Sequence, residues 1–153
     1  MSLEWTKCSP ICNWSKSKLI EAYNLILDTT GESYSPERLR MLPLSERIGS
    51  WILQDEKSNL LGLLWVMELS NDGCRVLAFS VAKKFQRKGF GSKGWGLFSK
   101  SAKKKGFKRI QLEVRSDNAI SIAMYRRRGL NPVGMISGYY GGQDGWLMLG
   151  NIR

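Results

Sequence analysis

The chain has 153 residues, 42% of them hydrophobic and 24% charged, enough for one substantial core and short of the usual two-domain length, so residues 1–153 are expected to form one domain. No apolar run approaches the ~18 residues of a membrane-spanning helix. The start, Met1-Ser2-Leu3-Glu4-Trp5, lacks a signal-like apolar stretch, and three cysteines without any histidine suit neither a disulfide framework nor an ordinary zinc site. Cys8, Cys12 and Cys74 are therefore read as structural thiols in a reducing cytoplasm, with no membrane partner and no metal. The net charge of +11 points to a polyanionic partner.

Residues 3–8 suit a first strand. From Trp14 to Leu27, Leu19, Ala22, Tyr23 and Ile26 recur at helical spacing and predict an amphipathic helix. Ser35-Pro36-Glu37 opens a second short helix, with Ser35 as N-cap and Pro36 in the first helical position. Trp51 to Leu53 and Leu60 to Leu69 read as strands joined by a hairpin over Asp55 to Asn59. Asn71-Asp72-Gly73 turns the chain into another strand, Cys74 to Val81, whose two apolar faces mark it as central. Next come a basic loop, a helix from Ser92 to about Lys105, and a strand from Ile110 to Val114. A helix from Asn118 to Arg128, stopped at Gly129, leads to strands Val133 to Gly138 and Gly145 to Leu149, with Gly141-Gly142 in the turn between them. The six tryptophans are assigned mostly to the core.

The most informative segment is Gln86-Arg87-Lys88-Gly89-Phe90-Gly91, where a buried strand ends and a helix begins. Backbone N–H groups at such a turn, with the positive end of the helix dipole, form a seat for phosphate oxygens. Gly89 and Gly91 would let phosphates approach the backbone; alone, the pair equally suits a steric strand-to-helix turn. Further on, Leu112-Glu113-Val114-Arg115 leads into Asn118-Ala119-Ile120-Ser121-Ile122-Ala123-Met124-Tyr125 and then Arg126-Arg127-Arg128-Gly129-Leu130. Together the segments resemble the acetyl-coenzyme A core of the GNAT N-acetyltransferase superfamily, a Q/R-x-x-G-x-G/A loop followed by an N-x-x-(A/S)-x-x-x-Y-x-x-x-G-(F/L) helix. The likeness covers about residues 60 to 150. It is closest in motif to the bacterial ribosomal-protein alanine N-acetyltransferases.

That resemblance implies an α/β (α+β) fold, a mixed twisted sheet of about six to seven strands with helices on both faces. It implies acetyl-CoA as cosubstrate and direct transfer to an amine. Gln86, Arg87, Lys88, Gly89, Phe90, Gly91 and Ser92 would hold the pyrophosphate, and backbone groups of Phe79 and Val81 the pantetheine arm, beside a bulge that splays their strand from Ile110–Val114. Asn118 is both a helix N-cap and the family's contact to that arm. Tyr125 stands at the position of the acid that protonates the leaving thiolate, with core packing as its other reading.

Glu113 is the candidate base. On its strand Ile110, Leu112 and Val114 face one side, leaving Gln111, Glu113 and Arg115 towards the cleft. Its alternative is a carboxylate paired with Arg115. Gly138-Tyr139-Tyr140 and Gln143 to Met148 resemble the Y-Y…(D/E)…M hairpin of N-terminal peptide acetyltransferases, so Tyr139 and Tyr140 are expected against the acceptor. The proline usual after the tyrosines is replaced by Gly141.

Charge is unevenly spread. Fifteen basic residues against Glu113 and Asp117 lie between Lys83 and Arg128, whereas the remainder carries nine basic and eleven acidic. That field suits polyanionic coenzyme A; Lys100 and Lys103 to Lys105 are also read as a solvated helix face. The expected activity is acetyl transfer to a primary amine, a protein or peptide N-terminus before a small-molecule amine. A non-catalytic nucleic-acid-binding module is the distant alternative. Monomer and homodimer both remain open.

Overall fold

The computed structural model describes residues 2–153. Seven strands form one mixed sheet: β1 Glu4–Lys7, β2 Trp51–Gln54, β3 Leu60–Glu68, β4 Gly73–Val81, β5 Arg109–Arg115, β6 Leu130–Tyr140 and β7 Gln143–Asn151. Their order is β1-β2-β3-β4-β5-β7-β6, and β4–β5 is the parallel pair in an otherwise antiparallel sheet. Four helices connect and cover them: α1 Lys16–Thr30, α2 Pro36–Arg40, α3 Phe90–Lys104 and α4 Ala119–Arg127. Short 3₁₀ turns at Ile11–Asn13 and Lys83–Phe85 complete the path.

Strand alternation sends side chains to two cores. Leu63 and Trp65 of β3 join Leu19, Ala22, Ile26 and Leu39 beneath α1 and α2. Leu64 and Val66, with Ile110, Leu112 and Val114 of β5, face Trp95, Phe98 and Ala102 of α3 on the other side. Both faces are thus covered by helices, as a sheet with a parallel pair requires.

Helix ends follow local chemistry. The Ser15 hydroxyl accepts from the Lys18 amide, Ser35 from Arg38, and the Asn118 side-chain oxygen from Ser121. Several boundaries move from the sequence expectation. α1 continues to Thr30, where Gly31 closes it in the left-handed region, and α3 begins at Phe90 rather than Ser92. β6 runs from Leu130 to Tyr140, and β7 from Gln143. Pro132 is tolerated because β6 is the sheet's edge.

The site is opened by an irregularity in β4. Opposite β3, Trp65 pairs with Ala78 but Val66 with Val76, so Leu77 is the extra residue of a bulge. On the other side, pairing of β4 with β5 runs from Gly73/Arg109 to Val76/Leu112 and then ends. Beyond Val76 the two parallel strands splay, leaving backbone groups of the Leu77–Val81 segment facing a gap instead of a strand.

Candidate active site

Three cavities that share lining residues follow that splay. A cleft of about 500 Å³ lies between α3 and α4 and is lined by Phe79, Ser80, Val81, Gln86, Arg87, Gly89, Gly91, Ser92 and Asn118, with Thr29, Lys83, Arg127 and Arg128. A second cavity of about 600 Å³ lies across β4 and β5, bordered by the α1–α2 loop and the β6–β7 hairpin. A passage of about 30 Å³ lies between them, with Glu32, Phe79, Glu113, Asn118 and Tyr125 in its wall.

One wall of the cleft is a glycine turn. Gly89 caps α3 with φ 86°, a left-handed conformation that favours glycine, and contributes no side-chain cap. The first helical hydrogen bond runs from the Lys93 amide to the Gly89 carbonyl, so the earlier N–H groups of this turn point out of the helix without an intrahelical acceptor. A Cβ on Gly91 would meet only the Phe79 ring, at 3.6 Å, so the protein itself leaves that space to a ligand. Gln86 lines the cleft while its amide donates to the Val81 carbonyl at 2.8 Å, bracing the end of β4.

Trp5 is partly buried against the core and also makes a polar contact. Its indole N–H donates to the Phe90 carbonyl at 2.8 Å, tying the sheet edge to the first turn of α3. Its ring lies so close to Gly94 that a Cβ there would come within 2.7 Å.

Two side chains of the expected phosphate loop turn elsewhere. The Lys88 ammonium sits over the Phe85 ring and Phe90 packs edge-on against Phe85, while the backbone N–H groups of both belong to the turn that opens α3. Of the many basic residues between Lys83 and Arg128, Lys83, Arg87, Arg127 and Arg128 line the cleft. Arg128 donates to the Ser92 hydroxyl at 3.1 Å and stacks over Trp95, carrying its charge to the start of α3. Asn118 performs its capping role through Oδ1 and also lines both cleft and passage.

Tyr125 is 7% exposed, packed against Phe79 and Trp95, and among the described residues its hydroxyl has no protein partner. Burial first, then the charge of Glu32, pushes its phenol well above the ordinary tyrosine value, so it stays protonated. Packing and a place in the passage wall coexist in this residue.

Glu113 lines the passage and the second cavity, on the same strand face as Gln111 and Arg115, as strand alternation predicts. Its ion pair differs from the expected one. Oε2 accepts from Arg75 Nε at 2.9 Å and Oε1 from Gln111 Nε2 at 3.2 Å, whereas Arg115 folds back on Asp117 at 3.1 Å. Arg75 stands opposite Gln111 in the β4–β5 register and reaches the carboxylate diagonally with its long side chain, while Arg115 is engaged by Asp117. Arg75 in turn donates to the Tyr139 hydroxyl at 3.0 Å. Tyr139 and Tyr140 meet edge-to-face at 4.8 Å and line the cavity from the bulged end of the β6–β7 hairpin. Asp144 lies outside that lining, where its carboxylate accepts from the Gly138 amide.

One carboxylate escaped sequence analysis. Glu32, in the α1–α2 loop, lines both the passage and the second cavity. Burial raises its pKa and the Glu113 charge adds to the effect, while hydrogen bonds from Tyr34 and Thr30 and the Arg115 charge act against it. Tyr34 donates to Oε1 at 3.1 Å. No motif surrounds Glu32; only the preceding Gly31 helix stop hinted at a loop there. Thr29, Tyr34, Arg38 and Arg75 were missed for the same reason.

The model of the acetyltransferase (GNAT) family matches residues 19–130. The chain belongs to that family. A search of curated proteins finds no match. Among solved structures, Ard1 from Thermoplasma volcanium superposes with TM-score 0.82 at 23% identity, over 100% of this chain and 99% of that one. The ribosomal-protein-S18-alanine N-acetyltransferase from Escherichia coli gives 0.80 at 20%, over 99% and 95%. A chain of the NatC complex bound to Gag peptide and CoA gives 0.80 at 16%, over 100% of both chains. The chain is thus an acetyl-CoA-dependent N-acetyltransferase, and the cleft has the features a pyrophosphate needs. No helix among the described residues is long and apolar enough to cross a membrane.

Proposed function

We propose that this enzyme transfers the acetyl group of acetyl-CoA to the N-terminal α-amine of a protein or peptide. The observation that carries this reading is the acceptor cavity of about 600 Å³, separated from the cofactor cleft by one narrow passage and walled by Tyr139, Tyr140 and the α1–α2 loop. That volume lies in the range of drug-sized ligands and exceeds the needs of a lone amine. The structural relatives whose names specify a ribosomal-protein alanine or a bound peptide support the same choice. A small-molecule amine is the alternative acceptor.

In this reading the thioester carbonyl lies in the passage. The amine nitrogen attacks it, forming the C–N bond, and the oxyanion faces backbone N–H dipoles of the splayed β4 segment. Collapse breaks the C–S bond, and Tyr125 gives its proton to the departing thiolate before regaining one from solvent. Glu32 takes the proton that the ammonium must lose, since a carboxyl raised above its ordinary value is the better base near neutral pH. Glu113, with one donor already on each oxygen, is tied to Arg75 and Gln111; as the motif carboxylate in the passage it is also the alternative base, acting through water. Transfer is direct: no cysteine lines the passage, and burial raises Cys8 to about 11 and Cys74 to about 12, leaving neither a ready nucleophile.

The test is an assay of acetyl-CoA with a panel of short N-terminal peptides and small amines, read by mass spectrometry. Acetylation of peptide α-amines is expected. Acetylation of small amines alone would overturn the peptide reading.

A further inference from the structure

We infer that the acceptor carries a carboxylate close to its reactive amine, and that Arg38 recognises it. The inference rests on the proposed peptide acceptor and concerns the same cavity. Five charged side chains line that cavity, and most are already matched. Glu113 is paired with Arg75, and Arg115 is held by Asp117 through two hydrogen bonds. Glu32 has no ion-pair partner within 4 Å among the described residues and is the natural seat of an ammonium. Arg38 is what remains, an arginine with no carboxylate within that distance.

Arg38 is also held in place. It follows the Ser35 cap of α2 and precedes Leu39, whose side chain is 0% exposed in the α1–α2 core. Its guanidinium stacks 5.5 Å above the Tyr34 ring, and the Tyr34 hydroxyl bonds Glu32. One aromatic side chain therefore lies between an exposed cation and a half-buried carboxylate. An acceptor with only an amine satisfies Glu32 and leaves the guanidinium fork unmatched. An acceptor with an amine and a nearby carboxylate satisfies both, the latter in the planar geometry that arginine favours.

The molecule's charge acts in the same direction. At +11 the chain attracts anionic ligands over distance and repels strongly basic peptides. The cavity has room beyond a single free amino acid, so the structure favours a peptide with Asp or Glu at its second or third position.

The experiment compares kcat/KM for peptide pairs that differ only by Asp→Asn or Glu→Gln near the N-terminus, alongside free acidic amino acids, in the wild-type enzyme, Arg38→Ala and Arg38→Glu. The acidic peptide should exceed its amide twin by about ten-fold, mainly through KM, as one charge-assisted contact would give. That ratio should fall towards one in Arg38→Ala and invert in Arg38→Glu. Free amino acids outperforming every peptide would assign the carboxylate to a small molecule and overturn the peptide form. Equal rates for the twins, or a ratio unchanged by Arg38→Glu, would overturn the inference while transfer to the neutral peptides left the proposed function standing. Loss of transfer to every amine would instead remove the proposed function itself.

Discussion

The cofactor cleft and the acceptor cavity lie on either side of one passage, yet they are built from different material. The cleft centres on one contiguous run, the end of β4, the Gly89 turn and the first turn of α3, with α4 and the end of α1 as its other walls. The acceptor cavity is made from side chains brought from α1–α2, β4, β5 and the β6–β7 hairpin. A ligand held by backbone N–H groups constrains a short run of sequence, chiefly its glycines. A ligand held by scattered side chains leaves each position free to vary, so acceptor choice can drift while the cofactor site persists.

The largest effect should come from closing the backbone seat. Gly91→Asp places a carboxylate where the phosphates must lie, and coenzyme A should then no longer raise the melting temperature. Retention of the full thermal shift would show that the phosphates bind elsewhere. Next comes the passage. Tyr125→Phe keeps the ring among Phe79 and Trp95 and removes only the proton donor, so kcat should fall by about 10²–10⁴-fold with coenzyme A affinity little changed. Near wild-type turnover would reduce Tyr125 to packing.

The two carboxylates should then separate by pH. The buried Glu32 carboxyl is raised above its ordinary value of 4.5, so the folded state favours the protonated form. Its contribution to stability is full below the unfolded pKa and is lost as pH rises through the higher folded value. Glu32→Gln removes that loss, so the variant's melting temperature should gain on the wild type between acid and neutral pH. As base, Glu32 must be deprotonated, so the same variant should lose the corresponding acidic limb of kcat/KM and regain activity partly at alkaline pH. Glu113→Gln should weaken its contact with Arg75 and cost about ten-fold at all pH values, chiefly in KM. Exchange of these two profiles would make Glu113 the base.

The smallest effect belongs to the frame. Gly94→Ala forces a methyl against Trp5 and should cost about 1–3 kcal/mol, lowering the melting temperature by several degrees. Because Trp5 holds the Phe90 carbonyl, coenzyme A affinity should weaken as well. Unchanged affinity would disconnect β1 from the cleft.

The same contrast explains what the sequence revealed. Gly89, Gly91, Asn118 and Tyr125 stand in runs whose spacing reports strand-to-turn-to-helix geometry, and all four line the cleft or the passage. The splay beyond Val76 was expected only through family likeness, because a bulge at Leu77 leaves no mark in an apolar strand. Period-two alternation placed Glu113 on the correct face but could not identify Arg75, which comes from another strand. Glu32 was hidden because its meaning lies in burial and in neighbours far along the chain. Lys88 stands in the motif with its ammonium over the Phe85 ring, a contact that spacing alone does not reveal.

The central claim is that coenzyme A binding belongs to the backbone cleft and acetyl transfer to side chains of the passage. Titrating coenzyme A into the Glu32→Gln/Tyr125→Phe double variant, with peptide acetylation assayed on the same samples, tests it most directly. The expected result is coenzyme A affinity within a few-fold of wild type with transfer reduced by at least about 10²-fold. Loss of affinity and transfer together, or transfer that survives both substitutions, would contradict it.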